Sequence, residues 1–123
     1  MSYYDFAISN FTCARVMLEH TTEYDVIVAH CHSYLEKAIK HILDLDVRKE
    51  IPRTNNLVLL ADLIGDDTLA TYKSFYVEIN DYYLTKRYPS PNYKQTTREG
   101  CERVYNTTCE IKQYIDKIIR KEN

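Results

Sequence analysis

The chain has 123 residues, of which 45% are hydrophobic and 28% are charged, and its formal net charge is −2. This length and composition predict a single globular domain, residues 1–123, with a buried core. The slightly negative charge excludes a surface that is basic throughout, so any site for an anion must be local. Two glycines and three prolines are too few for the many turns of an all-β domain.

The sequence does not indicate a membrane segment, a metal site or a cofactor site. No apolar run approaches the roughly 18 residues of a membrane-spanning helix, and Met1–Asp5 lacks the basic start of a signal peptide. We therefore expect a cytoplasmic protein without membrane contact. The four cysteines form no C-x-x-C pair, and His30 and His32 would point about 200° apart on a helix. We accordingly predict no metal site and no cofactor.

Two long helices are predicted in the first part of the chain. The first covers about Tyr3–His20, because apolar residues recur there at steps of three and four residues. Arg15 falls on this apolar stripe, so we expect it at the edge of the core, where it pairs with a carboxylate or reaches a polar cavity. The second helix covers about Glu23–Leu45, and Thr22 is its expected N-cap.

The two flanks of the second helix differ in character. One flank carries a partly basic row of side chains, namely His30, Tyr34, Lys37 and His41. The other flank carries Glu36 and Lys40, which are four residues apart and are expected to form an ion pair worth a few tenths of a kcal/mol.

The second half of the chain is predicted to add a short helix and two long ones. Thr54 is the expected cap of the short helix, and Gly65 ends it. The fourth helix is expected over Thr68–Arg87, after two capping aspartates, and Pro89 stops it. The fifth begins with a capping box of Thr96 and Glu99 and continues to about Arg120. The predicted fold is all-α, an antiparallel up-down bundle of four long helices plus one short inserted helix.

The end of the fourth helix is the most distinctive stretch of the sequence. Lys86 and Arg87 are expected in its last turn, where the helix dipole favours cations. Arg87 continues a row with Tyr83 along the margin of the buried face. This combination predicts either a capped helix end with solvated charges or a cationic and aromatic corner that receives an anion.

Three segments resemble the HEPN domain family. Ser33–Lys40 resembles the second-helix signature of the family, usually Gln-x-Ala-x-Glu-Lys-x-x-Lys. Pro52–Leu57 is similar to its Thr-His-x-Leu segment, with Asn55 where His is usual. Tyr83–Pro89 matches its Tyr-x-x-x-Arg-Tyr-Pro ending. The order and spacing of the segments also agree, and the resemblance extends from about Tyr4 to Ile119.

The resemblance implies an all-α domain of the higher-eukaryote and prokaryote nucleotide-binding class that is commonly a homodimer. Many relatives are encoded beside a small nucleotidyltransferase, as toxin–antitoxin pairs or as helper subunits. A large subset are metal-independent ribonucleases in which an Arg holds phosphate and a His, separated from it by about four to six intervening residues, acts in acid–base chemistry.

This sequence departs from the ribonuclease pattern. Arg15 and His20 have the required spacing, but they lie in the first helix and would point about 140° apart. No His follows His41, so Arg87 has no His downstream. The sequence therefore predicts a HEPN-like module that binds a nucleotide or a partner, the companion of a small nucleotidyltransferase, rather than a standard nuclease.

The candidate site residues follow from these motifs. We expect phosphate to be held by Arg87, Lys86, Lys37 and Arg53. A base is expected to stack on Tyr83 or Tyr88. Glu36 and Arg15 are expected in ion pairs of the site or of the structure.

Two alternatives remain open at this point. In the first, the chain is an RNA-cleaving toxin with an altered active site, in which Arg15 or Arg87 grips phosphate and His32 or His30 replaces the missing base. In the second, the corner is purely structural, and Glu36 pairs with Arg87 within or between protomers.

Overall fold

A computed structural model gives the fold and describes residues 2–86, 90–91 and 93–122, without the side chain of Glu122. Within these residues the secondary structure is entirely helical, which confirms the all-α prediction. The helices are α1 Tyr3–His20, α2 Tyr24–Asp44, α3 Leu57–Ile64, α4 Asp67–Ala70, α5 Lys73–Thr85 and α6 Arg98–Glu122. In the part of the chain described, no helix is long and apolar enough to cross a membrane.

Helix α1 has the predicted bounds, and its predicted apolar stripe faces the core. Ser2 and Asp5 form a capping box, in which each side chain accepts from the backbone N–H of the other residue. The fully buried residues of α1 are Ala7 and Ala14, two small side chains that let α1 pack closely on α2. The predicted placement of Arg15 at the edge of the core is wrong, because its side chain is exposed.

Helix α2 lies at the centre of the molecule and contacts α1, α3, α5 and α6. The predicted row of His30, Tyr34, Lys37 and His41 faces α1, where Tyr34 is fully buried and its ring centroid lies 5.6 Å from that of Phe11. The prediction of Thr22 as the N-cap is wrong. The N-cap is Glu23, whose own N–H donates to the Thr21 hydroxyl, and no side chain caps the helix.

Helix α3 ends as predicted but begins later than the Thr54 cap implies. Gly65 closes α3 with φ of 72°, a left-handed conformation that glycine adopts without strain. The predicted cap, Thr54, instead accepts from the N–H of Asn56. Asn56 is the actual N-cap, and its Oδ1 accepts from the N–H groups of Val58 and Leu59 at 3.0 and 3.4 Å.

The predicted fourth helix is divided into α4 and α5. Asp66 caps α4, and the chain leaves helical geometry at Tyr72, where φ is −93° and ψ is 16°. The Tyr76 hydroxyl donates to the Leu69 carbonyl, which a continuous helix would offer to the N–H of Lys73. Helix α5 ends at Thr85 with Lys86 as its C-cap, so Lys86 follows the last turn instead of lying in it. Arg87 and Pro89 lie outside the described residues.

Helix α6 begins one residue later than its predicted cap implies. The Thr97 hydroxyl accepts from the N–H of Gly100, so Thr97 has the capping role that was predicted for Thr96. Thr96 is buried, and its N–H donates to Asp25 Oδ1 at 2.9 Å. One face of α6 is buried, namely Cys101, Val104, Thr108, Ile111, Ile115 and Ile119.

The segment before α6 is tied to the first turn of α2, and we call this set of contacts the Asp25 clasp. Asp25 accepts from the Tyr93 hydroxyl as well as from the N–H of Thr96. Lys86 donates to the Lys94 carbonyl, and Gln95 donates to the Thr22 carbonyl. Burial acts to raise the pKa of Asp25, but the hydrogen bonds from Thr96 and Tyr93 outweigh it, so the pKa lies below its usual value.

Candidate functional site

An open cleft of about 520 Å³ lies between α2, the segment before α3 and the C-terminal part of α5. Its lining includes described residues from each of the three family-like segments of the sequence. Its lining residues are Glu36 and Lys40 of α2, Arg53, Thr54 and Asn55 of the connecting segment, and Tyr83 of α5.

The charged side chains of the cleft differ in their exposure and in their ion pairing. Lys40 Nζ lies 2.9 Å from Glu36 Oε2, and only 12% of the Lys40 side chain and 20% of the Glu36 side chain are exposed. Arg53 is exposed and forms no ion pair with any described residue. An anion that enters the cleft would therefore meet the guanidinium of Arg53 and an ammonium group that Glu36 partly neutralises.

Tyr83 forms the aromatic wall of the cleft and is supported from the protein interior. Its ring stacks on the imidazole of His32, with a centroid distance of 4.2 Å and an angle of 14° between the planes. His32 is 1% exposed, and its Nε2 lies 3.2 Å from Asn80 Oδ1. The orientation of Tyr83 is thus linked to a buried polar group on α2.

Asn80 joins α5 to the beginning of α3. Its Oδ1 accepts from the N–H of Leu57 at 3.2 Å, and its Nδ2 donates to Asn56 Oδ1 at 3.0 Å. Together with the cap formed by Asn56, this contact satisfies the first three N–H groups of α3. The N-terminus of a helix often binds phosphate through such groups. Here they are already bonded, so a phosphate in the cleft must be held by side chains.

Three of the predicted site residues meet in the cleft, namely Arg53, Tyr83 and Glu36. Lys37 lies on the opposite flank of α2, where its Nζ donates to Asn10 Oδ1 at 2.7 Å and lies 5.8 Å from the ring of Phe6. The structure therefore does not bring Lys37 together with Arg53. Lys40, which was predicted only as the partner of Glu36, is the lysine of the cleft.

The other predicted residues lie elsewhere or outside the described part of the chain. Lys86 is directed to the Asp25 clasp, where its Nζ lies 5.4 Å from the centroid of the Tyr93 ring. Arg15 is exposed on α1. Arg87 and Tyr88, for which the sequence predicts phosphate binding and base stacking, lie outside the described residues.

None of the four histidines lines the cleft. His30 is bonded to Asn10 on the α1 side, and burial followed by the charge of Lys37 lowers its pKa. His41 also faces α1, where its ring centroid lies 5.5 Å from that of Tyr4. His20 is exposed at the end of α1. The described residues also contain no group of three His, Cys, Asp or Glu side chains that could hold a metal ion.

Two asparagines important for the cleft were missed as site residues in the sequence. Asn56 could have been found from its position, because asparagine is a stronger N-cap than the threonine that was chosen. Asn80 follows Tyr76 and precedes Tyr83 along one edge of α5, which indicates a position near the buried face. Its contacts with α2 and α3 are between residues distant in sequence, so no local pattern indicates them.

The comparisons with known proteins identify the family. The sequence profile of the HEPN domain matches residues 2–118, which is nearly the whole chain. The chain therefore belongs to the HEPN domain family, as the three motifs predicted. Comparison with the curated proteins and with the solved structures gives no match.

Proposed function

We propose that the chain is a nucleotide-binding HEPN module whose cleft between α2, α3 and α5 holds the phosphate of its ligand. The observation that carries this proposal is the exposed Arg53, which forms no ion pair with any described residue and lies beside Lys40 in an open cleft. Family membership supports a nucleotide-binding or ribonuclease-like module in general. The arrangement of charges in the cleft favours binding.

The chemistry of the lining fits a phosphate ester. The guanidinium of Arg53 offers paired donors that match two phosphate oxygens, and Lys40 adds a point charge. Tyr83 places an aromatic ring in the same lining, which suits a nucleobase. The amides of Asn55 and the hydroxyl of Thr54 supply further polar groups for a ribose or a base edge.

Replacement of Arg53 tests the proposal. Arg53→Ala should weaken ATP binding by one to two orders of magnitude, because about 1.5–3 kcal/mol of charge-assisted hydrogen bonding is lost. Isothermal titration calorimetry with ATP and GTP measures the effect. Arg48→Ala is the matched control, since Arg48 pairs with Asp46 away from the cleft and its loss should leave the affinity unchanged.

Arg87→Ala should weaken binding by a similar factor if the family-like segment Tyr83–Pro89 contributes to the same site. The absence of ATP and GTP binding by the wild-type protein would contradict the nucleotide proposal. Equal affinities of the wild type and Arg53→Ala would contradict the assignment of the cleft.

The proposal includes a protein partner. We propose that the chain forms a homodimer and is the companion of a small nucleotidyltransferase. The neighbouring open reading frame tests this, and a nucleotidyltransferase found there should co-elute with the chain on size-exclusion chromatography after co-expression. Separate elution of the two proteins would contradict the companion role.

The competing function is an RNA-cleaving toxin with an altered active site. It needs a base near the bound phosphate, and the candidate His32 is 1% exposed with its Nε2 bonded to Asn80. This burial favours binding over cleavage. If the chain is a toxin, its induced expression should arrest growth, and replacement of His32 or His30 should relieve the arrest. Normal growth and intact RNA in vitro would contradict that function.

A further inference from the structure

We infer that Asn80 is the positioning residue of the cleft. Through one side-chain amide, Asn80 fixes both the cationic wall, which carries Arg53, and the aromatic wall, which is the ring of Tyr83. The ligand named in this inference rests on the proposed function, whereas the contacts of Asn80 are independent of it. Asn80 lies behind the lining and is not one of the residues that would touch the ligand.

The orientation of the Asn80 amide is determined by the backbone. The N–H of Leu57 can only donate, so the atom of Asn80 that faces it at 3.2 Å must be the oxygen. The same oxygen lies 3.2 Å from His32 Nε2, which must therefore carry a proton and donate. The nitrogen of Asn80 donates to Asn56 Oδ1, whose identity as oxygen is fixed in the same way by the N–H of Val58.

The first consequence concerns the cationic wall. Arg53, Thr54 and Asn55 belong to a connecting segment without helical hydrogen bonds. The C-terminal end of this segment is fixed where Asn80 binds Asn56 and Leu57. Without these two contacts, the N–H of Leu57 loses its acceptor, and the start of α3 loses both hydrogen bonds to Asn80. The position of Arg53 relative to Lys40 on α2 is then less restricted.

The second consequence concerns the aromatic wall. The hydrogen bond to Asn80 restrains the plane of the His32 imidazole, and Tyr83 stacks on that plane at 4.2 Å. Since Asn80 and Tyr83 are three residues apart on α5, they lie on the same face of the helix. One amide thus restrains the residues that carry the charge and the ring of the cleft, which is the arrangement expected of a preorganised site.

The experiment compares Asn80→Ala and Asn80→Asp with the wild type by nuclear magnetic resonance, without ligand. In Asn80→Ala, the Leu57 amide should exchange with solvent at least about tenfold faster, because its acceptor is gone. Asn80→Asp keeps an acceptor for Leu57 and His32, so the Leu57 amide should stay protected. The carboxylate beside the imidazole should raise the pKa of His32, which checks that the side chain at position 80 contacts the imidazole. Asn106→Ala, an exposed substitution on α6, is the control that should change neither signal.

The second measurement is the ATP affinity of the same proteins. Asn80→Ala should bind ATP on the order of tenfold more weakly than the wild type, and Asn106→Ala should bind it equally well. An unchanged Leu57 exchange rate in Asn80→Ala would overturn the inference, as would an unchanged His32 pKa in Asn80→Asp. If Asn80→Ala does not fold, Asn80→Asp alone still decides. A wild type that does not bind ATP would contradict the proposed function, while the exchange data would still decide the role of Asn80.

Discussion

The charge balance of the cleft depends on a small number of side chains. Arg53 is exposed, whereas Lys40 is largely covered and paired with Glu36. Because Glu36 would compete with an anion for Lys40, we expect the proposed site to bind its ligand less tightly than it would without this carboxylate.

Removal of this carboxylate should strengthen ligand binding. Glu36→Gln should raise the affinity for ATP by about two- to fivefold, because Lys40 is released for the phosphate and a repulsive charge is lost. The gain should shrink as salt concentration rises. Calorimetric titrations at low and high salt measure both effects.

The control for this prediction is Glu102→Gln. Glu102 and Arg98 form the same type of ion pair, four residues apart on α6 and away from the cleft. This variant should bind ATP as the wild type does. A weaker affinity of Glu36→Gln than of the wild type would contradict the competition between Glu36 and the ligand.

At the scale of elements, the Asp25 clasp holds the segment before α6 against the first turn of α2. Lys86, the C-cap of α5, donates to the Lys94 carbonyl and so connects the end of α5 to the same segment. Arg87 follows Lys86 in the sequence, and the family resemblance implies a role for it in the site. The clasp is therefore expected to affect ligand binding as well as stability.

The clasp should make the stability of the fold depend on pH. The pKa of Asp25 is lowered in the folded state, so its contribution is present above the usual carboxyl value of about 3.9 and is lost as pH falls through the lower folded pKa. Asp25→Asn should lower the free energy of unfolding by about 1 kcal/mol near neutral pH. Urea unfolding at a series of pH values should show that this difference shrinks in acid.

The comparison for Asp25→Asn is Asp62→Asn, an exposed substitution on α3. It should leave the free energy of unfolding nearly unchanged at every pH. The opposite result is that the wild type and Asp25→Asn differ in free energy of unfolding by the same amount down to a pH well below the carboxyl range. That result would contradict the contribution of the Asp25 charge to stability.

The sequence predicted those elements whose ends depend on local contacts. The bounds of α1 follow from its apolar period, and Gly65 ends α3 because the C-cap requires a left-handed residue. The break at Tyr72 was not predicted, because it depends on a hydrogen bond from Tyr76 to Leu69 that replaces helical bonding. The start of α3 was misplaced although its cap is local, because Thr54 was chosen instead of Asn56, whose Oδ1 accepts from the N–H groups of Val58 and Leu59.

The site was predicted only in part for a similar reason. Helical periodicity distinguishes the two flanks of α2, but it does not indicate which neighbour each flank meets. The flank with Lys37 faces α1, while the flank with Glu36 and Lys40 faces the segment before α3. The structure places the motif residues Arg53 and Tyr83 in one lining, and the lysine in that lining is Lys40 instead of Lys37.

At the scale of the whole molecule, the fold places α2 in contact with most other helices and leaves the cleft open on one side. The profile match over residues 2–118 shows that the chain belongs to the HEPN domain family. The proposed homodimer and nucleotidyltransferase companion belong to this scale. Size-exclusion chromatography of Arg87→Ala beside the wild type would separate a role in assembly from a role in ligand binding.

The central claim is that a nucleotide binds in the cleft that contains Arg53, Lys40 and Tyr83. Titration of the wild-type protein with ATP, followed by backbone amide resonances, tests it most directly. We predict that the largest shifts occur at Lys40, Asn55 and Tyr83, while Asn10 and Lys37 on the opposite flank of α2 change little. Shifts concentrated around Asn10 and Lys37, or no shifts at all, would contradict the account.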